Sequence, residues 1–165
     1  NVANIAQKIA KEMDLSKDEI DDVYWAGLLH DIGKILIPKD ILNKPTSLTD
    51  DEYETIKKHP YWGYKTLNNS KRLEDIAEYV LYHHKQEDGN GYPDNMGDGD
   101  PPLISKILCV ADAWDAMRSN RSYRDKLDKE IAIEELKKNK GTQFAPEVVE
   151  AFMELLNNEE KEVIC

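Results

Sequence analysis

The histidines are the residues of this chain best suited to chemistry. Only four occur in 165 residues: His30, His59, His83 and His84. His30 is followed directly by Asp31, and His83 and His84 are adjacent. Imidazole combined with carboxylate is a ligand set for Fe, Mn, Zn, Ni or Co rather than for Ca. These residues therefore predict a site for a divalent transition metal.

The apolar stripes of three predicted helices each end at an ionisable residue. The stripe of the second helix continues to Asp31, that of the fourth to His84, and that of the fifth to Asp112 and then Asp115. A buried carboxylate is costly unless it is paired or binds a metal. We therefore expect the ends of these helices to converge on a cation.

The neighbours of these stripe-end residues suggest more than one metal. His30 and His83 each precede a stripe-end residue, about 100° around the helix. Adjacent side chains then approach one centre from two angles, which suits two metals better than one. Two metals about 3.5–4 Å apart can activate a water and hold a phosphate. Phosphoester hydrolysis is the chemistry that this arrangement favours.

The elements that must position these residues are helices. Apolar residues recur at helical spacing along most of the chain, and no alternating strand pattern is found. Capping boxes at Ser16 with Glu19 and at Thr49 with Glu52 predict two helix starts. The second of these helices should end near His59, because Pro60 disfavours helical geometry in the preceding residue. Pro60 can start the next helix as its first residue, and the other helices are predicted over about 2–13, 73–84, 103–117, 129–138 and 146–156.

The predicted fold is thus all-α, a compact bundle of about seven helices in one domain. Residues 1–157 form this domain, and 158–165 form a charged tail that we expect to fray. The segment 85–102 is rich in glycine and proline and longer than most connections, so we expect it to be functional or disordered. Its acidic residues lack the regular spacing of a calcium loop.

Composition excludes several classes of function. The net charge is −11, whereas a protein that binds nucleic acid polymers normally has a basic surface. No apolar run approaches the roughly 20 residues of a membrane span. Cys109 lies in an apolar stretch, so we interpret it as a buried free thiol, which favours a reducing, cytoplasmic setting. Since the chain begins at Asn1 within a helical pattern, we expect it to be a module of a longer protein.

The motifs together resemble the HD-GYP domain, a branch of the HD metal-dependent phosphohydrolases. The resemblance covers most of the chain, from Val2 to about Leu156. It implies an all-helical fold, a bacterial and cytoplasmic enzyme, and hydrolysis of cyclic di-GMP to pGpG or GMP. Gly141-Thr142-Gln143-Phe144 supports it, and it rests on five motifs: His30-Asp31-Ile32-Gly33-Lys34, His59-Pro60, His83-His84 with Asp88-Gly89-Asn90-Gly91-Tyr92-Pro93, Val110-Ala111-Asp112-Ala113-Trp114-Asp115-Ala116, and Arg121-Ser122-Tyr123-Arg124.

The resemblance also implies a role for each motif residue. One metal would be held by His30, Asp31 and Asp112, and Asp31 would bridge to a second metal held by His59, His83 and His84. Fe or Mn is favoured, while Zn, Ni and Co also fit, and a third metal is known in some members. Asp31 and Lys34 would take part in catalysis, and Asp115 would support the ligands from behind. The expected substrate contacts are Lys34, Gly91, Tyr92, Pro93, Arg121 and Arg124.

The chain departs from the family pattern at one position, in the first helix. The family has a further ligand in its first helix, which would fall at or just before Asn1. Either this ligand lies upstream or the metal centre is incomplete. The family also implies an upstream sensor or receiver domain and partner proteins of the GGDEF type.

Three functions therefore stand as hypotheses. The first is a cyclic di-GMP phosphodiesterase with a binuclear metal centre. The second is an HD hydrolase of another nucleotide, against which the Gly91-Tyr92-Pro93 loop counts. The third is a binding or docking module that keeps the ligands without turnover, which the absent first-helix ligand favours.

Overall fold

The computed structural model describes residues 1–94, 100–120 and 125–164, with side chains to residue 161. Within these residues there is no β-strand, and an all-α fold is confirmed. Two 3-10 helices, Ile32–Leu36 and Lys71–Leu73, interrupt the α-helical series. The α-helices are α1 Val2–Glu12, α2 Lys17–Leu29, α3 Lys39–Leu42, α4 Asp50–Ile56, α5 His59–Leu67, α6 Glu74–Tyr82, α7 Leu103–Arg118, α8 Lys129–Lys138 and α9 Pro146–Ile164. None of the helices in the described residues is long and apolar enough to cross a membrane.

The core is built around α1 and α7. α1 packs against α2, α7 and α9, and α6 packs against α2, α5 and α7. The predicted apolar stripes of α6 and α7 are buried, as Val80, Ile107 and Leu108 illustrate with no exposed surface. Burial of such side chains stabilises the fold by roughly 1.5–3 kcal/mol each. The polar ends of the same stripes are thereby fixed in position.

The face that α2 buries differs from the prediction. Leu28 lies three residues before Asp31, on the stripe that was predicted to be buried, but 51% of it is exposed, whereas Ala26 is fully buried. A Cβ atom at Gly27 would lie 2.6 Å from the Cα atom of Ala3. The close approach of α1 at Gly27 therefore turns the Ala26–Gly27 side of α2 inward and leaves Leu28 outside.

Both predicted capping boxes are present. The Ser16 hydroxyl accepts a hydrogen bond from the Glu19 backbone N–H, and the Glu19 carboxylate accepts one from the Ser16 N–H. Thr49 and Glu52 make the same reciprocal pair at the start of α4. α4 ends at Ile56, however, three residues before the predicted end near His59. Lys57 and Lys58 form a turn after it, and α5 begins at His59 with Pro60 as its second residue.

Residues 158–165 were expected to fray, but α9 continues as a helix as far as Ile164. The extension is fastened to two other helices by polar contacts. Lys8 of α1 pairs with Glu159 at 2.6 Å, and Lys129 of α8 pairs with Glu160 at 2.6 Å. These contacts join residues distant in sequence, which local composition does not reveal.

The described parts of segment 85–102 are anchored at several points. Lys85 and Gly91 form an antiparallel bridge, and the backbone N–H of Asp88 donates to the Thr142 carbonyl at 2.9 Å. Lys106 of α7 pairs with Glu87 at 3.1 Å and with Asp100 at 2.8 Å. Both sides of the loop are thus tied to the helical body.

Candidate metal centre

Three of the candidate metal ligands lie at the ends of helices. His30 is the C-cap of α2, His83 is the C-cap of α6, and His59 is the first residue of α5. Asp112 lies within α7, which passes beside them. His59 and His83 are 1% and 0% exposed. The elements predicted to converge therefore do so at one buried point.

Close backbone packing sets the distance between Asp31 and His59. A Cβ atom at Gly33 would lie 1.9 Å from the His59 carbonyl oxygen and 2.6 Å from the Gly63 nitrogen. Only glycine allows the first 3-10 helix to approach α5 this closely. Asp31, two residues earlier, is thereby brought beside the His59 ring.

Three of the histidines are oriented by the same kind of hydrogen bond. In each, ring Nδ1 contacts the carbonyl oxygen three residues earlier. Because a carbonyl can only accept, Nδ1 carries a proton in each ring, and in an uncharged ring Nε2 then presents a lone pair. The distances are 2.8 Å from His30 to Gly27, 2.8 Å from His59 to Ile56 and 2.6 Å from His83 to Val80.

The free Nε2 atoms face one another and the carboxylates. Nε2 of His59 lies 3.4 Å from Nε2 of His83 and 3.4 Å from Oδ1 of Asp31. Nε2 of His30 lies 3.4 Å from Oδ2 of Asp31 and 3.8 Å from Oδ1 of Asp112. Oδ1 of Asp31 is buried without a hydrogen-bond partner. Lone pairs and an ionised oxygen thus point at a shared space.

The protonation states of these residues leave the facing lone pairs without protons to share between them. Burial lowers the pKa of His59 to about 4 and that of His83 to about 3, and burial with the neighbouring His83 lowers the pKa of His84 well below its ordinary value. Burial acts to raise the pKa of Asp31, but His30, Lys34 and His59 bring it below its ordinary value. At neutral pH the imidazoles of His59, His83 and His84 are uncharged and Asp31 is ionised, so a cation would satisfy the facing lone pairs.

The residues present fit a metal ion. His59, His83 and His84 each offer one ligand atom, and these atoms lie within 4.8 Å of one another. Asp31 reaches towards this group with Oδ1 and towards His30 with Oδ2. Nitrogen and carboxylate donors of this kind suit transition metals.

The predicted substrate-contacting residues fall into two groups. Nζ of Lys34 pairs with Oδ2 of Asp31 at 2.7 Å, and the ring of Tyr92 lies 4.7 Å from that of His84. A Cβ atom at Gly91, whose φ is +82°, would lie 2.2 Å from the His84 carbonyl oxygen. Gly91 and Tyr92 therefore border the histidines. Arg121 and Arg124 lie outside the described residues.

Asp115 lies one turn beyond Asp112 on α7. Its Oδ1 accepts a hydrogen bond from the Ser119 hydroxyl at 3.4 Å. It lines a cleft of about 270 Å³ together with Asn4 and Lys8 of α1. These contacts do not test whether Asp115 holds the metal ligands in position, and that role stays a prediction.

Sequence reasoning did not identify Tyr53 and Lys57 as site residues. Nζ of Lys57 lies 5.8 Å from the ring centroid of Tyr53 and 5.8 Å from that of Tyr92. The only available signal was that Lys57 precedes His59 by two residues, and an exposed helix-end lysine offers the same signal.

Comparison with known proteins gives one family match and several similar relatives. A family model described as HD domain matches residues 1–148. A protein of Thermotoga maritima named cyclic di-GMP phosphodiesterase is 41% identical over 161 residues, which are 96% of this chain and 43% of that protein. A Vibrio cholerae protein named 3′3′-cGAMP-specific phosphodiesterase 2 is 37% identical over 155 residues, 93% of this chain and 30% of that protein. The chain thus spans less than half the length of these relatives.

The fold has a solved counterpart. The crystal structure of a cyclic GMP-AMP-specific phosphodiesterase of Vibrio cholerae superposes with a TM-score of 0.70, at 21% sequence identity. The match covers 95% of this chain and 43% of the other. At this identity the likeness concerns the fold alone.

Proposed function

The chain belongs to the HD domain family, and on that premise we propose that it is a metal-dependent phosphodiesterase of cyclic di-GMP. The observation that carries the metal dependence is the 3.4 Å approach of the His59 and His83 Nε2 atoms beside the orphaned Asp31 oxygen. The substrate assignment is supported by relatives whose names include cyclic di-GMP and 3′3′-cGAMP phosphodiesterase.

The proposed ligands form two sets that share Asp31. His30, Asp31 and Asp112 hold one divalent metal. His59, His83 and His84 hold the other, with Asp31 as the bridge. The two Asp31 contacts support this division, because Oδ2 faces His30 and Oδ1 faces His59. Fe or Mn is favoured by the mixed imidazole and carboxylate donors, and a third metal is compatible with the proposal.

Bound metals would supply an activated water and neutralise charge on the phosphate. The chain's own side chains orient the groups around that reaction. The hydrogen bonds at Nδ1 hold three imidazoles in the tautomer that binds metal through Nε2. Lys34, already beside Asp31, contacts a non-bridging phosphate oxygen. Tyr92 and its loop form a wall of the substrate site.

The remaining substrate and partner assignments follow the same proposal. Arg121 and Arg124 bind phosphate or guanine, and Asp115 supports the metal ligands. The product is pGpG or GMP. The partners are cyclic di-GMP or a related cyclic dinucleotide, an upstream sensor or receiver domain, and proteins of the GGDEF type. The chain acts in the bacterial cytoplasm.

Metal analysis combined with a substrate panel tests the proposal. The chain is purified anaerobically, its metals are quantified, and it is assayed with Mn²⁺ or Fe²⁺. The substrates are cyclic di-GMP, 3′3′-cGAMP, (p)ppGpp and a nucleoside triphosphate, and products are separated by chromatography. We expect about two metals per chain and cleavage of cyclic di-GMP that EDTA abolishes. His83→Leu should remove activity, while Lys58→Met, an exposed neighbour of His59, should retain it.

Two other results would replace the proposed function. Rapid hydrolysis of linear nucleotides, with none of cyclic di-GMP, would identify a hydrolase of another nucleotide. Binding of cyclic di-GMP without cleavage, at sub-stoichiometric metal content, would identify a docking module.

A further inference from the structure

A cavity of about 370 Å³ lies directly beside His84. Its volume falls within the roughly 300–1,000 Å³ that is usual for small-molecule sites. The cavity shares His84 with the candidate metal centre, so a ligand in the cavity would adjoin a group bound there. Its other lining residues include two tyrosines, a lysine, two glutamines and a cysteine: Tyr53, Lys57, Gln86, Tyr92, Cys109 and Gln143.

The aromatic part of this lining is organised around Lys57. Its ammonium lies 5.8 Å from the ring centroids of both Tyr53 and Tyr92, and it pairs with Glu54 at 2.8 Å. Three-quarters of the Lys57 side chain is shielded, since its exposed fraction is 24%. The cavity therefore offers ring faces for stacking and a positive charge held between them.

The polar part of the lining consists of two carboxamides. Gln86 and Gln143 each carry a donor and an acceptor side by side. Cys109 is 8% exposed, and burial together with Asp112 raises the pKa of its thiol to about 12. That thiol is uncharged at neutral pH. The cavity thus combines ring faces, paired donors and acceptors, one cation and a neutral apolar wall.

The backbone around the cavity is held in place. The N–H of Glu87 donates to the Gln143 carbonyl at 3.4 Å. Tyr92 donates its N–H to the His84 carbonyl at 3.2 Å. Gly91 packs so closely on His84 that a Cβ atom would overlap it. The lining residues come from four separate regions, and these contacts fix two of them, the loop 84–92 and the segment at Gln143, relative to each other.

We infer that this cavity binds one purine base of the substrate, with Lys57 and Gln143 reading its edge and Tyr92 stacking on its face. The inference rests on the proposed function, which places a phosphodiester at the neighbouring metals. Stacking on an aromatic side chain accepts any base. Lysine, however, recognises the O6 and N7 acceptors of guanine, and adenine has an amino group in place of O6. Lys57 therefore favours guanine over adenine.

The test uses the full chain with Mn²⁺ and three phosphodiesters. Cyclic di-GMP carries guanines, cyclic di-AMP carries adenines, and bis(p-nitrophenyl) phosphate carries no base. The variants are Lys57→Met and Gln143→Leu, which keep side-chain volume and leave backbone hydrogen bonds available. Lys58→Met is the matched control, because Lys58 is adjacent in sequence and does not line this cavity.

We expect Lys57→Met and Gln143→Leu to lower kcat/KM for cyclic di-GMP by ~10-fold or more, the discrimination that a good base contact provides. Hydrolysis of bis(p-nitrophenyl) phosphate should stay within about twofold of wild type, because the metal centre is untouched. Lys57→Met should also narrow the preference for cyclic di-GMP over cyclic di-AMP. Equal losses on all three substrates would indicate a structural effect and overturn the inference. Unchanged rates on all three would also overturn it.

Failure of the proposed function gives a different result. If the wild type does not cleave cyclic di-GMP, GMP binding is measured by calorimetry on the same variants. GMP binding that Gln143→Leu and Lys57→Met weaken would support the purine site without the proposed reaction. If the wild type does not bind GMP, the purine site and the proposed function are both overturned.

Discussion

Replacement of Gly33 by alanine tests whether backbone packing positions the metal ligands. The added Cβ would lie 1.9 Å from the His59 carbonyl oxygen, whereas ordinary contacts begin at 3.4 Å. The first 3-10 helix and the start of α5 must therefore separate by at least 1.5 Å, the difference between these distances. No side-chain rotation relieves the overlap, because both obstructing groups are backbone. Overpacking of this kind costs about 1–3 kcal/mol.

The same movement should separate Asp31 from His59. Their ligand atoms lie 3.4 Å apart, and metal–ligand bonds to nitrogen and oxygen are about 2.0–2.2 Å. A shift of 1.5 Å cannot be absorbed without the loss of one ligand from a shared metal. We therefore expect Gly33→Ala to lower Mn²⁺ affinity by about 10–100-fold. Its melting temperature without metal should fall by roughly 2–12 °C, given about 2–4 °C per kcal/mol for a chain of this size.

Gly63→Ala is the matched control for this prediction. A Cβ atom at Gly63 would meet Cγ1 of Val80 at 2.9 Å, so a side chain must move by about 0.5 Å, whereas Gly33→Ala requires 1.5 Å of backbone movement. Alanine also gains about 1 kcal/mol of helix propensity over glycine within α5. Calorimetric melting in EDTA and titration with Mn²⁺ measure both quantities. If Gly33→Ala melts and binds Mn²⁺ like the wild type, or if Gly63→Ala is equally damaged, the reasoning is refuted.

Further predictions concern the histidines and the buried thiol. At a free Mn²⁺ concentration 100 times its Kd, the wild type should gain about 2.7 kcal/mol in unfolding free energy, and His83→Leu should gain none; an unchanged gain would exclude His83 as a ligand. In metal-free ¹⁵N-histidine spectra at pH 7, His59 and His83 should carry their proton on Nδ1, and protonated Nε2 at these rings would contradict the carbonyl contacts. Because burial and then Asp112 raise the pKa of Cys109 to about 12 from an ordinary 9.0, iodoacetamide at pH 8 should alkylate it only on unfolding, as peptide mass spectrometry would show. The free energy of unfolding should fall between pH 9 and 12, since the unfolded thiol ionises there first; in Cys109→Ala this contribution should be absent, and an identical slope would contradict the assignment.

The sequence could predict which residues meet but not how closely. His84 and Asp112 extend apolar stripes, and those stripes are buried at Val80 and Leu108 as helical periodicity requires. The separation between His59 and Asp31 depends on the contact of Gly33 with α5, which joins backbone segments distant in sequence. Periodicity carries no information about such contacts.

Two other differences have the same origin. The charged end of α9 stays helical because Glu159 and Glu160 pair with lysines of α1 and α8. Lys57 was not distinguishable from an exposed lysine, because its place between Tyr53 and Tyr92 depends on the fold of the loop at Gly91. In each case a non-local contact determines the structure, while composition describes only the neighbourhood in sequence.

The charges around the histidines explain why an acidic chain would need metal to hold an anionic substrate. The chain carries a net charge of −11, and Lys34, which lies beside the centre, is paired with Asp31 at 2.7 Å. That ion pair has no net charge, and burial keeps the His59 and His83 rings neutral at pH 7. A divalent metal would bring two positive charges into a buried space where they are weakly screened. It would also engage Asp31, so that Lys34 need no longer neutralise that carboxylate alone and could contact phosphate.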